Sequence, residues 1–289
     1  MDYFIYMVII INIFIILTIS QNLLVGFTGL FSVCQAAFYG IGAYIAALLA
    51  IWLTSNLILA ILAAMIAAGI WGAIISLPSI RLKGDYFLIA SIGFQMVMFS
   101  IFLNWKAVTR GPMGLYGLPR PHLFGFAFDS PYSFLVLSFA LMLACFFLSR
   151  RIAHSPFGLA LKGIRDDETA VEALGKNVIR FKIAIFSFSA AWAAVAGALF
   201  AFYTTSVDPF SFTLEESVFI LTLAIVGGTG NLKGSVVGAI ILISLPELMK
   251  FIQIPDAVAA QTRQIFYGLL LILFMRFRSQ GLIGEYRLR

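Results

Sequence analysis

The chain has 289 residues, of which 62% are hydrophobic and 11% are charged, and its formal net charge is +6. A typical soluble domain carries roughly 25% charged residues and about 45–50% apolar ones, and a soluble core cannot hide this much apolar surface. The composition therefore excludes an ordinary soluble domain and predicts an all-α, polytopic membrane protein with a single transmembrane domain over residues 1–289.

Apolar stretches with few charges recur along the chain, and most are near the roughly 20 residues that a helix needs to cross a bilayer. The first has neither a basic segment before it nor a small-residue cleavage site after it, so we interpret it as a retained span. Two of the stretches are short, which gives about nine spans and leaves eight to ten open. The predicted spans are roughly 4–25, 36–53, 56–78, 85–103, 131–149, 183–205, 216–228, 235–250 and 263–277.

The basic residues predict the orientation. With the N-terminus outside and the C-terminus inside, fourteen of the 19 Lys and Arg residues face the cytoplasm, as the positive-inside rule requires. Anionic lipid headgroups then account for the positive charge, so no nucleic-acid partner is needed. The predicted cytoplasmic set is Arg81, Lys83, Arg150, Arg151, Lys162, Arg165, Lys176, Arg180, Lys182, Lys233, Arg276, Arg278, Arg287 and Arg289.

Residues 104–130 form a loop that is predicted to lie outside. It contains four glycines before Phe126 and three prolines, which favour fixed irregular backbone over helix. Two roles are open, a plain connector or a docking surface for an external partner. In the second role, Arg110 and Arg120 would bind carboxylates.

Residues 150–182 form a larger loop that is predicted to be cytoplasmic. Its acidic stretch predicts a short amphipathic helix from Asp166 to Leu174, because negative charge is favourable at a helix N-terminus. A helix this short is marginal alone, so the loop is either a solvated connector or a knob inserted into a soluble partner. We predict one face with Arg165, Glu168 and Glu172, a second with Ala170, Val171 and Leu174, and Gly175 as the terminating C′ residue.

Few residues offer catalytic or metal chemistry. Cys34 and Cys145 have no metal-site spacing and are expected to be packing residues, and two histidines leave little scope for a triad. Glu247 is the only carboxylate well inside a predicted span, which argues against a proton-coupled carrier. We therefore predict a non-enzyme that binds no metal or cofactor itself.

The stretch "AIVGGTGNLKGSVVGAI", residues 224–240, is rich in glycine but matches neither common phosphate-binding spacing. Its "VGGTG" agrees at four of five positions with "VGFTG" at residues 25–29. Glycine interruptions in two apolar segments can mark a translocation path, although ordinary packing glycines fit equally well. The predicted path residues are Gly26, Gly29, Gln35, Gly227, Gly228 and Gly230.

Several segments together resemble the LivM-type permeases of branched-chain amino acid ABC transporters. The central loop and following span match "SPFGLALKGIRDDETAVEALGKNVIRFKIAIFSFSAAWAAVAGALFA", residues 155–201. The resemblance extends through residues 26–49, 81–94, 109–121, 208–249 and 266–284. One departure is Leu159, where the family usually has a basic residue.

The resemblance implies a permease subunit of an ATP-driven importer in the bacterial inner membrane. A second homologous permease chain, two cytosolic ATPase subunits that hold ATP and Mg, and a periplasmic binding protein would be its partners. The matching coupling helix would contact an ATPase through Arg165, Asp166, Asp167, Glu168, Glu172, Ala173 and Gly175. A permease for urea or short amides is an open alternative, and an ion-coupled secondary carrier is another.

Overall fold

The computed structural model describes residues 2–79, 85–123, 126–128, 130–250, 268–269, 272–273 and 281–283. Helices dominate these residues, so the predicted all-α class is confirmed. The α-helices are α1 (Asp2–Thr28), α2 (Gln35–Trp52), α3 (Leu57–Ser79), α4 (Asp85–Asn104), α5 (Lys106–Thr109), α6 (Pro131–Ala153), α7 (Pro156–Asp166), α8 (Glu168–Ala173), α9 (Val178–Thr204), α10 (Leu214–Gly227) and α11 (Leu232–Lys250). Short 3-10 helices occur at Gly111–Met113 and Pro209–Phe212.

Six helices are long and apolar enough to cross a membrane: α1, α2, α3, α4, α6 and α9. They coincide with the first six predicted spans. The longest of them, α1 and α9, have 27 residues each, or about 40 Å at the helical rise of roughly 1.5 Å per residue. These two helices therefore exceed the hydrocarbon core, which is about 30 Å thick.

The seventh and eighth predicted spans form a bent pair. Helix α10 has 14 residues, or about 21 Å, and α11 turns away from it by 119° at a break of four residues or fewer. The pair is a broken span or a re-entrant segment, so the described residues contain six spans, or seven with this pair. The predicted ninth span, 263–277, lies largely outside the described residues, as does the side chain of Glu247. The count of nine and the orientation stay predictions.

Helix α9 lies at the centre and packs on α1, α2 and α3. Its small residues let the neighbouring backbones approach closely, which is the main source of helix association in lipid. A Cβ on Gly197 would collide with the Tyr39 carbonyl of α2, and one on Gly42 would collide with the Ala194 backbone of α9. The contact between α2 and α9 therefore depends on glycine from both sides.

The loops gather at the two ends of the bundle. At one end, β1 (Leu115–Tyr116) pairs antiparallel with β4 (Ser206–Val207), and the His122 N–H donates to the Ser55 carbonyl over 2.9 Å. A second antiparallel pair joins β2 (His122–Leu123) to β3 (Phe126–Ala127). Three connections that were predicted to face outside thus form one cap. Within it, residues 105–123 contain only a four-residue helix, a 3-10 turn and two-residue strands, in agreement with the irregular backbone predicted for this loop. At the other end, α7 packs beneath α1 and α6.

Candidate functional site

The first candidate region is a break of residues 29–34 between α1 and α2, where the chain is not helical. Side chains from elsewhere satisfy its backbone. The Val33 N–H donates to Ser91 Oγ over 2.9 Å, and Gln21 Nε2 donates to the Ser32 carbonyl over 2.7 Å. Non-helical backbone inside a membrane bundle is tolerated only where such partners replace water.

Gln95 holds the beginning of α2. Its Oε1 accepts from the Ala37 N–H at 2.8 Å, and its Nε2 donates to the Phe212 carbonyl at 2.9 Å. Ser217 Oγ of α10 accepts from the Ala36 N–H at 2.9 Å. Because Gln95 lies midway along α4 and is fully buried, α2 begins inside the bundle rather than at its end.

Gln35, which is one of the predicted path residues, is buried at this first break. Its Nε2 donates to the hydroxyls of Ser20 and Ser189, while its Oε1 has no hydrogen-bond partner within the described residues. The sequence reasoning did not select Gln21 or Gln95, although an amide inside an apolar span is itself a signal. An unpaired buried acceptor is rare in folded proteins.

The second candidate region is the break of residues 228–231 between α10 and α11, which Asn22 of α1 holds. Asn22 Nδ2 donates to the carbonyls of Gly228 and Asn231 at 3.1 and 3.0 Å and to Ser235 Oγ at 2.7 Å. Its Oδ1 accepts from the Gly230 N–H at 2.9 Å. Asn22 is fully buried, and both of its amide N–H groups are directed at this contact, where three acceptors share them.

The predicted path glycines pack backbone against backbone. A Cβ on Gly26 would collide with the Gly230 backbone, so the two similar pentapeptides contact each other across the fold. A Cβ on Gly227 would collide with the Gly234 carbonyl of α11. Gly228 and Gly230 have positive φ, and so does Gly29 in the first break. Close packing is thus observed, while a role in lining a path stays a prediction.

The predicted helix from Asp166 to Leu174 is wrong at its start. Asp166 ends α7, and α8 begins at Glu168. Asp167 separates the two helices because its extended backbone, with φ −155°, lets its carboxylate cap α8 by accepting from the Thr169 and Ala170 N–H groups. The bonds from the Thr169 hydroxyl and the Ala170 N–H hold the pKa of Asp167 below its usual value.

The prediction that Arg165 shares one helix face with Glu168 and Glu172 is wrong. It lies on α7, where its Nη1 donates to the Gly26 carbonyl over 2.7 Å and its Nε to Asp166 over 3.0 Å. The last carbonyls of a helix have no partner within the helix, so a guanidinium is favourable at the end of α1. Glu168 instead accepts from Lys182 Nζ of α9 at 2.8 Å.

The predicted apolar face of this helix is also only partly correct. Val171 is buried with Ile164 and Val178, but Leu174 is 79% exposed and Ala170 is exposed too. The predicted end of the helix is confirmed. The Gly175 N–H, at φ +75°, donates to the Glu172 carbonyl and the Lys176 N–H to that of Val171, which is a Schellman motif.

Comparison with known proteins adds to this geometry. The family model described as branched-chain amino acid transport system / permease component matches residues 3–275. The chain belongs to this family. The high-affinity branched-chain amino acid transport system permease protein LivM of Escherichia coli (strain K12) is 32% identical over 94% of this permease and 68% of its own length. The probable LivM of Methanocaldococcus jannaschii is 28% identical over 79% and 68%, and E. coli LivH is 26% identical over 93% and 91%. No solved structure matches this chain.

The outer arginines of this permease differ in their surroundings. Arg110 is exposed and has φ 59°, which is uncommon for a residue other than glycine. Arg120 is half-buried. Their role in docking stays a prediction. The expected absence of a bound cofactor also stays a prediction. Among the residues that the structure describes, no three His, Cys, Asp or Glu side chains are placed to hold a metal ion.

Proposed function

We propose that this chain is the permease subunit of an ATP-driven importer and forms the translocation path for branched-chain amino acids. The family match over residues 3–275 carries this proposal, and the relatives that match are branched-chain amino acid transport permeases. Buried helix breaks held by side chains, as at residues 29–34 and 228–231, are typical of transporters, where irregular backbone is kept near the path.

The partners would be a second permease chain of the same family, two cytosolic ATPases that hold ATP and Mg, and a periplasmic binding protein. The relatives include both LivM and LivH permeases, which supports two permease chains. The membrane would be the bacterial inner membrane, with α8 on its cytoplasmic side. The exposed residues Glu172 and Leu174 at the tip of α8 would then contact an ATPase.

A continuous set of contacts would carry motion from α8 into the spans. Helices α7 and α8 pack through Ile164 and Val171, and Arg165 joins α7 to the Gly26 carbonyl of α1. About one turn of α1 then leads from Gly26 to Asn22, which holds the second break. In parallel, the Glu168–Lys182 ion pair joins α8 to the central helix α9. Rigid elements linked in this way transmit small displacements to bistable contacts.

The coupling role is best tested by substitutions at the exposed tip of α8. Substitution of Arg165 or Glu168 would also remove contacts that hold the loop in place. We expect the Glu172→Ala/Leu174→Ala variant, assembled with its partners, to lose most of its substrate-stimulated ATPase activity while it still inserts. Lys176→Ala, an exposed change in the same loop, is the matched control. Full stimulation in the double variant would contradict the coupling role.

For the outer cap, charge reversal of Arg110 and Arg120 should raise the binding-protein concentration needed for half-maximal uptake, because both would face carboxylates of the docked protein. Reversal of Lys106, an exposed neighbour, is the control. An unchanged concentration dependence would remove the two arginines from the docking surface.

The substrate is tested with the cognate binding protein. Calorimetric titration with leucine, isoleucine, valine and urea, followed by uptake into proteoliposomes that contain the full transporter, should give binding and uptake of the three amino acids. Uptake of urea in preference to leucine would favour the short-amide alternative. Uptake by the isolated chain without ATPases would favour a secondary carrier.

A further inference from the structure

A cavity of about 230 Å³ lies where α1, α6, α7 and the beginning of α11 meet. It is lined by four basic residues, and none of the lining residues that the structure describes is acidic. They come from three different elements, so the folded chain brings them together. The four are Arg150, His154, Lys162 and Lys233, and we term the cavity the basic pocket.

The pocket is built from local contacts at each side. Arg150 and His154 lie one turn apart at the end of α6, where the His154 ring nitrogen Nδ1 donates to the Arg150 carbonyl over 2.9 Å. Lys162 Nζ lies 5.5 Å from the centre of the Phe27 ring of α1. Lys233 is in the first turn of α11, where its N–H donates to Asn231 Oδ1 over 3.0 Å. These contacts leave the basic groups around one volume.

Two features of the pocket favour an anion. Basic side chains from three elements line one volume, and their positive potential attracts a negatively charged group. The pocket also contains the beginning of α11, a helix of 19 residues whose dipole adds positive potential at that end. The ligand chemistry is therefore that of a phosphate group.

The aromatic part of the pocket lining distinguishes a lipid from a free phosphate. It is formed by the aromatic rings of Phe27 and Phe146, which belong to the membrane-spanning helices α1 and α6. The next two residues of α6, Phe147 and Leu148, are 56% and 49% exposed, so α6 offers an apolar surface for an acyl chain within one turn of the pocket. A free anion would gain nothing from these surfaces.

We propose that the basic pocket binds the headgroup of an anionic phospholipid, with its phosphate among the four basic residues and its glycerol against the two rings. Basic pockets between spans on the cytoplasmic side are suited to such headgroups. The lipid would bridge α6 and α7 to the second helix break at residues 230–232. The inference requires only a membrane-embedded chain and is independent of the transported substrate.

The test compares two triple variants of the full chain in nanodiscs made of equal parts of phosphatidylglycerol and phosphatidylcholine. One is Arg150→Gln/Lys162→Gln/Lys233→Gln, which empties the pocket of three charges. The control is Arg151→Gln/Lys176→Gln/Arg180→Gln, which removes three exposed charges of the 150–182 loop that do not line the pocket. Native mass spectrometry after transfer to detergent counts the phosphatidylglycerol molecules retained per chain.

We expect the pocket variant to retain on the order of tenfold less phosphatidylglycerol than the unchanged chain, and the control to retain nearly as much, because each basic residue near a headgroup adds several-fold to its affinity. Equal retention in both variants, or equal loss, would overturn the proposal. Displacement of the lipid by millimolar inorganic phosphate would assign the pocket to a soluble anion instead. Loss of co-purified ATPase subunits with unchanged lipid retention would assign it to a protein partner.

The single variant Lys233→Gln provides a test that remains valid if the triple variant does not fold. Its side chain is exposed, and a monodisperse profile in size-exclusion chromatography would show that it folds. A several-fold loss of retained phosphatidylglycerol is expected from this one charge. Unchanged retention in the folded single variant would count against the basic pocket as a lipid site.

Discussion

Replacement of Asn22 by leucine should release the second helix break from α1. The side chain has four hydrogen-bonding partners across this contact: its two amide N–H groups are shared among three acceptors, and its Oδ1 accepts from the Gly230 N–H. Leucine has the same branched shape and the same number of side-chain heavy atoms as asparagine, so the variant removes the bonds without opening a cavity. It leaves the Gly230 N–H and the Gly228 carbonyl buried without Asn22.

The expected cost follows from the three hydrogen bonds that two donated hydrogens and one accepted hydrogen can form. Side-chain hydrogen bonds inside membrane proteins contribute about 0.6 kcal/mol each on average, which sets a lower bound near 2 kcal/mol. Buried groups left without a partner cost about 1–3 kcal/mol each, so two of them raise the total to about 5 kcal/mol. A loss of about 2 kcal/mol corresponds to roughly a 30-fold shift in an opening equilibrium.

Hydrogen–deuterium exchange of the 228–231 peptide measures this opening directly. The Gly230 amide should exchange at least about 30-fold faster in Asn22→Leu. Asn12→Leu is the matched control, because Asn12 is a buried amide on the same helix that makes a single bond, to Ser138 Oγ at 3.1 Å. Equal exchange of Gly230 in all three proteins would refute the role of Asn22.

Three further predictions concern the helix contacts and the α8 segment. Gly197→Ala should destabilise the packing of α2 on α9 by about 1–3 kcal/mol in thermal denaturation, whereas Gly93→Ala, whose Cβ would meet no atom within 4 Å, should be near neutral. Glu168→Gln leaves Lys182, whose side chain is 8% exposed, without its carboxylate partner. The free energy that protects the α8 amides from hydrogen exchange should therefore fall by about 1–3 kcal/mol, whereas Glu172→Gln should leave this free energy unchanged. Hydrogen bonds to the Asp167 carboxylate lower its pKa, so the cap of α8 should persist at neutral pH and be lost only below about pH 4. Hydrogen exchange of the Ala170 amide, measured as a function of pH, checks this.

Local patterns predicted the spans well and the tertiary contacts poorly. The apolar length of a span and the left-handed preference at Gly175 are local properties, so six helices and the end of α8 agreed with the structure. The start of α8 was misplaced because Asp166 and Asp167 are equivalent by composition, and only backbone geometry selects the cap.

The contact of Arg165 could not be predicted from local sequence patterns. Its charge suggested a solvated helix face, yet its hydrogen bond to the Gly26 carbonyl joins residues 139 positions apart, which no helical periodicity can indicate. Gln95 and Asn22 could have been selected, because an amide inside an apolar span needs a partner in the bundle. Their partners could not have been named, since these are backbone groups of distant breaks.

The hydrogen bonds of Asn22 also have a consequence for synthesis in the membrane. Asn22 lies in α1, but the Asn231 carbonyl to which it donates follows 209 residues later. At translation rates of about 5–20 residues per second, α1 waits for this partner for roughly 10–40 s. During that interval the Asn22 amide and the glycine surface of α1 must be kept from other helices, so α1 completes its own contacts only after α11 has been synthesised.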